Sequence, residues 1–174
     1  MISARIFRSI DLLNELGVEH CIISNTLLCL YRDKTPLRRG RAEVVFAVPI
    51  KERARLRKHP LCTYVNRGPG HRSSINFKGR INLNFYTEID NYLIFNLTNN
   101  GYFVFEKDTI LPFGKMEYRG KMLNVPNKIE KYLSEYYADW KTPDNISTWS
   151  KSPYVIWADS IEEALKIYKE RSVK

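Results

Sequence analysis

The sequence is short of cysteine and histidine, with three of each in 174 residues. It also lacks repeats of fixed period, low-complexity tracts and any apolar run near the roughly 18 residues of a membrane-spanning helix. Each shortage excludes something. Cys21, Cys29 and Cys62 are an odd number in apolar contexts without a C-x-x-C spacing, which argues against a disulfide framework and for buried thiols. His20, His59 and His71 are not spaced as metal ligands, so a zinc site is not expected. The opening Met1-Ile2-Ser3-Ala4-Arg5 begins an amphipathic stretch and not a signal peptide, so a cytoplasmic protein without a membrane span is expected.

Acidic residues are scarce as well: 19 Asp and Glu against 28 Lys and Arg give a formal charge of +9. The imbalance is regional. Between Arg32 and Arg80 there are 14 basic residues and three acids, Asp33, Glu43 and Glu52. Such a stretch favours anionic partners. Hydrophobic residues at 44% and charged residues at 27% are ordinary globular proportions, and the length suits one domain spanning residues 1–174.

The periodicity predicts a mixed α/β, that is α+β, fold with helices packed against a mixed sheet. Ile6, Ile10, Leu13 and Leu16 recur at helical spacing from Ser3, with Gly17 as a stop. Cys21-Ile22-Ile23 reads as a short strand and Thr26 to Tyr31 as a helix entered through Ser24-Asn25. Val44 to Val48 is continuously apolar, the pattern of a strand buried on both faces. A basic helix from about Ile50 to Lys58 follows, with Ile50, Ala54 and Leu56 expected to face inward, then a strand at Thr63-Tyr64-Val65 and a turn at Gly68-Pro69-Gly70. Ile81 to Tyr86, Tyr92 to Leu97 and Tyr102 to Phe105 are β-branched and aromatic strand candidates. Met116 to Val125 reads as a hairpin turning at Arg119-Gly120. A helix follows with Ile129, Tyr132, Leu133 and Tyr136 on one face, and Lys141 to Ser152 is a polar connection. A strand at Tyr154 to Trp157 and a helix from Ile161 to Lys169, with Ile161, Ala164, Leu165 and Tyr168 inward, close the chain.

Leu111-Pro112-Phe113-Gly114-Lys115-Met116-Glu117-Tyr118-Arg119-Gly120, then Val125-Pro126-Asn127, Tyr132-Leu133 and Tyr136-Tyr137-Ala138-Asp139-Trp140 with Pro143, stand in the order of a LicD-family signature. The chain resembles a LicD/fukutin-type nucleotidyltransferase. The resemblance divides it into a degenerate catalytic-core half (1–110), a LicD-like hairpin plus helix (111–143) and a C-terminal strand and helix (144–174). Ser24-Asn25-Thr26-Leu27-Leu28 with Arg32 is similar to the family's glycine-rich "GG-T-LL-G…R" turn, with Ser24, Asn25 and Cys29 where glycines are usual. Matching back from Val48-Pro49 puts Glu43 and Val45 at the two aspartates that bind metal in the family. The third aspartate falls on Asn82 in Ile81-Asn82-Leu83-Asn84-Phe85.

Nucleotidyl transfer needs carboxylates to hold divalent ions on the phosphates. Valine cannot ligate a cation and asparagine offers only a neutral carbonyl oxygen, so no metal and no cofactor is expected. The resemblance then implies a pseudoenzyme with no catalytic residue. It would bind nucleic acid or an acidic protein surface through a basic former active-site cleft, as a regulator or inhibitor. Ser24 and Asn25 would form the cleft turn, and Arg32, Arg38, Arg39, Arg41, Arg67, Arg72, Lys78 and Arg80 would contact the anion. Tyr64, Phe77 and Tyr86 would offer stacking faces. Two alternatives stand beside this. One is an active nucleotidyl or phosphocholine-type transferase using Mg²⁺ or Mn²⁺, with Glu88, Asp90 or Asp108 as replacement ligands. The other is a protein-interaction module that uses an apolar face.

Overall fold

A computed structural model describes residues 2–35, 43–65, 74–77, 81–96, 100–137, 139–142, 152 and 154–172. The expectations for Arg38, Arg39, Arg41, Arg67, Arg72, Lys78, Arg80 and the Gly68-Pro69-Gly70 turn lie outside the described residues.

The first helix, α1 (Ile2–Glu15), buries Ile6 and Leu13 completely and stops at Gly17, whose φ of 61° suits glycine. There the amides of Gly17 and Val18 donate back to the carbonyls of Asn14 and Leu13, satisfying the last turn. Strand β1 (Cys21–Ile22) and helix α2 (Ser24–Tyr31) follow, with Thr26, Leu27, Leu28, Cys29 and Leu30 of α2 buried. Strand β2 (Val44–Pro49) leads into a 3-10 turn, Ile50–Glu52, and the short α3 (Arg53–Arg57).

Among the described residues the main sheet has eight strands. β1 is antiparallel to β2, and β2 is parallel to β5 (Ile81–Ile89). β5 continues antiparallel into β6 (Tyr92–Asn96), β7 (Gly101–Glu106) and β10 (Ile156–Trp157). A side branch, β3 (Cys62–Val65) on β4 (Ser74–Phe77), pairs with the first half of β5, from Ile81 to Asn84. A separate hairpin, β8 (Gly114–Tyr118) and β9 (Lys121–Val125), turns at Arg119-Gly120 with both residues at positive φ, the requirement of a two-residue hairpin loop. Helices α4 (Lys107–Ile110), α5 (Ile129–Tyr136) and α6 (Ile161–Ser172) complete the mixed α+β fold.

Strand periodicity assigns the packing. Leu93 and Phe95 of β6 and Phe103 and Phe105 of β7 share one sheet face, on which α5 lays Tyr132 against Phe105 (5.1 Å between ring centroids) and Tyr136 against Phe103 (4.5 Å). On the other face Ile94, Tyr102, Val104 and Ile156 form a second apolar cluster with Ala164 and Leu165 of α6. No helix among the described residues is long and apolar enough to cross a membrane.

The structure corrects several expectations. Ile50 is 42% exposed and Ala54 is also exposed, leaving Leu56 as the buried residue of that helix; Ala54 stands two residues from Leu56, about 200° round a helix, so one face cannot bury both. β4 and α4 were not anticipated. β10 contains only Ile156 and Trp157, with Tyr154 outside it and 50% exposed. Cys21 and Cys29 are buried thiols, while Cys62 is partly exposed.

Candidate functional site

The parallel register sets Val45 beside Asn82 and Ala47 beside Asn84, and the antiparallel register sets Asn76 beside Asn82. Alternation along the strands therefore brings Glu43, Val45, Asn76, Asn82 and Asn84 to one sheet face near the starts of β2 and β5. The three positions that the resemblance assigned to metal ligands do converge.

Their chemistry is that of an amide-capped carboxylate. Asn76 Nδ2 donates to Glu43 Oε1 at 3.0 Å and Asn82 Nδ2 donates to Glu43 Oε2 at 3.1 Å. Thr63 Oγ1 extends the network by donating to the Asn76 carbonyl at 3.1 Å. Asn82 Oδ1 is buried without a hydrogen-bond partner. Both carboxylate oxygens thus face N–H donors, and a cation would share them with those donors for one negative charge. Among the described residues no three His, Cys, Asp or Glu side chains gather where they could hold a metal ion.

Ser24 and Asn25 open α2 beside this strand face. Ser24 has a φ of 56°, the left-handed region that favours glycine, so the backbone keeps a glycine-like turn while carrying a side chain. That turn is already partnered from within the fold. The Ser24 amide donates to Tyr132 Oη at 3.2 Å, and Ser24 Oγ lies 3.4 Å from Tyr136 Oη and 3.3 Å from Tyr137 Oη. Burial holds the Tyr132 and Tyr136 hydroxyls above their ordinary pKa, so they stay protonated as neutral partners. Thr26 Oγ1 accepts the Val45 amide at 3.0 Å, tying α2 to β2 at the position where a ligand would be needed.

The other site candidates disperse. The Arg32 side chain is 10% exposed and pairs with Asp33 at 2.6 Å, while Nη1 donates to the Trp140 carbonyl at 2.8 Å, so its guanidinium fastens α2 to the segment after α5. Tyr86 is 4% exposed and packed on Phe95, which removes it as a stacking face; the side chains of Tyr64 and Phe77 are outside the description. Glu88, Asp90 and Asp108 pair with Lys107, Lys169 and Lys128. Glu88 stands six residues along β5 from Asn82, about 20 Å at strand rise, and cannot complete a metal site with Glu43. Thr63, Asn76 and the three tyrosine hydroxyls are the participants that sequence reasoning missed. The signal was present in part: the polar positions of Ile81-Asn82-Leu83-Asn84-Phe85 and of Ile75-Asn76-Phe77 are all asparagine.

Comparison with known proteins finds no family model and no curated protein that matches this chain.

Proposed function

We propose that the chain is a catalytically inactive nucleotidyltransferase-like protein that works by binding an anionic partner, with nucleic acid favoured, as a regulator or inhibitor. The observation that carries the inactive half is the capping of Glu43 by the amides of Asn76 and Asn82, beside a valine that cannot ligate. A site built for metal-assisted transfer holds several carboxylates toward one point and leaves them free for the ion. Here one carboxylate is satisfied by neutral donors, and the α2 turn, where a phosphate could meet backbone amides, has its first amide satisfied by Tyr132.

The anionic partner is supported by charge. Arg41 lies two residues before Glu43 in the chain and Arg80 two before Asn82, within a stretch where basic residues outnumber acids 14 to three. Arginine matches phosphate oxygens bidentately, and a basic surface raises both the affinity and the association rate of a polyanion.

The test is titration of the purified chain with labelled nucleic acid, and separately with nucleoside triphosphate plus Mn²⁺, at several salt concentrations. Micromolar or tighter, steeply salt-dependent binding of the polymer without metal-dependent nucleotide binding is the expected result. Metal-dependent nucleotide binding lost in Glu43→Gln would replace this reading with the active transferase. Failure to bind either would move it to a protein partner.

A further inference from the structure

We propose that the exposed side of the 3-10 turn and α3, residues 50–58, is a second phosphate-contacting surface that takes the backbone of nucleic acid, distinct from the Glu43 site. Residues 50–58 contain Lys51, Arg53, Arg55, Arg57 and Lys58 against one acid, Glu52. Glu52 is spent locally, since both Nε and Nη2 of Arg55 donate to its Oε2, at 3.1 and 2.6 Å. Arg55 Nη1 also donates to the Leu16 carbonyl at 2.8 Å, fixing the helix to the end of α1. Lys51, Arg57 and Lys58 are exposed and form no ion pair among the described residues.

Arg57 and Lys58 are neighbours at the exposed end of α3, and Lys51 is exposed in the 3-10 turn before it. A polyanion lying along the ridge of residues 50–58 would meet the exposed charges of Lys51, Arg57 and Lys58. The single buried residue of the helix is Leu56, while Lys51, Arg57 and Lys58 stay exposed. An acidic protein is a poorer fit. Protein interfaces concentrate apolar, charge-depleted area at their centre, and the ridge offers only Ile50 as an exposed large apolar side chain. Phosphate backbone needs no such centre, because release of its condensed counterions supplies the driving force.

The ridge begins at the far end of β2 from Glu43, and β2 is six residues long, about 20 Å at strand rise. A bound mononucleotide could not reach both surfaces, so the ridge is independent of the former cleft and its test separates the two. The experiment measures binding of a labelled DNA duplex and a labelled single strand by anisotropy over a series of salt concentrations. The proteins are the wild type, a Lys51→Glu/Arg57→Glu/Lys58→Glu variant, the corresponding triple Gln variant, and a cleft variant Arg38→Glu/Arg39→Glu/Arg41→Glu. Unchanged circular dichroism and melting of the Gln variant certify the fold.

The expected result is that the ridge variants weaken binding at least about tenfold and lower the slope of log affinity against log salt by about 2.7, the contribution of three phosphate contacts to duplex DNA. A ridge variant that keeps wild-type affinity and slope overturns the inference. If the cleft variant loses binding at the same time, the proposed function stands without the ridge. Loss confined to the ridge variants keeps the ridge and removes the cleft. Wild-type protein that binds neither nucleic acid, or that poly-glutamate competes off as well as unlabelled duplex does, charge for charge, also overturns it.

Discussion

Glu43 and Asn82 meet across the parallel pair of β2 and β5, with Asn82 Nδ2 donating to Glu43 Oε2 at 3.1 Å while Asn82 Oδ1 lies buried and unpartnered. An aspartate at position 82 would leave two carboxylates face to face, an arrangement that repels unless a cation bridges them. The amide removes the repulsion and supplies a donor, but its second polar atom is left unmatched.

Restoring charge at this face should therefore restore cation affinity. In Val45→Asp/Asn82→Asp, three carboxylates at positions 43, 45 and 82 would share one sheet face, as their register requires. The variant is expected to be less stable than wild type without metal, and to gain melting temperature when Mn²⁺ is added, because an ion that binds only the folded state stabilises it by mass action. The wild type and a Val45→Asn control, which keeps Asn82, should show no such gain. Thermal melts with and without Mn²⁺ decide it, and equal responses from the control and the Asp variant would refute the placement.

Arg32 belongs to the architecture despite its position in the basic stretch. Its guanidinium is engaged by Asp33 and by the carbonyls of Trp140 and Thr142. Arg32→Ala would leave a half-buried carboxylate and carbonyl groups without their donor, at a cost of about 2–3 kcal/mol. Urea melts should register that loss, whereas the salt slope of nucleic-acid binding should not move. A reduced slope with unchanged stability would return Arg32 to the anion-binding set.

Local grammar made several features legible in the sequence. Gly17 ends α1 and Arg119-Gly120 turns the β8–β9 hairpin, each because a positive φ was needed at a place the periodicity marked. The grouping of Glu43, Val45 and Asn82 came from the family resemblance alone, and the strand register that sets Val45 beside Asn82 is seen only in the structure. The rest depended on contacts remote in the chain. β4 is four residues, Ser74–Phe77, too short to establish a period, and it exists because β5 offers it an edge. The Ser24 hydroxyl finds Tyr136 and Tyr137 more than 110 positions later, a contact that only α5 packing onto β7 creates. Residues 50–58 bury Leu56 alone, and so short a run with one inward position carries no apolar stripe from which its orientation can be read.

Tyr132 couples the aromatic layer to the α2 turn, so its hydroxyl should matter separately from its ring. Tyr132→Phe keeps the contact with Phe105 and strips the Ser24 amide of its partner. Leaving a buried donor unsatisfied costs about 1–3 kcal/mol. Hydrogen exchange should show the Ser24 amide losing protection in this variant. If the Phe variant matches wild type in both stability and exchange, the amide has another partner and the turn is not held from α5.

The pH dependence of stability should centre on Glu135. Its Oε1 stands 3.9 Å from Lys131 Nζ, which suggests a stabilising ion pair, but Lys131 is committed to Glu106 and Glu135 Oε2 is buried without a partner. Burial wins: it pushes the carboxyl from an ordinary 4.5 up to about 7, with Glu106 and Asp108 adding to the rise and Lys131 and Lys128 opposing it. Between those two values the folded chain retains a proton that the unfolded chain has released. Stability therefore falls as pH rises through the window, and the penalty is complete above about 7. Glu135→Gln keeps the shape and removes the charge. It should be near neutral at acid pH and stabilising by on the order of 1–3 kcal/mol at pH 8, a rise of several degrees in melting temperature for a chain of this size. Melts of both proteins across that range give the answer, and a difference that does not grow with pH would mean that Glu135 is ionised at no cost in the folded protein.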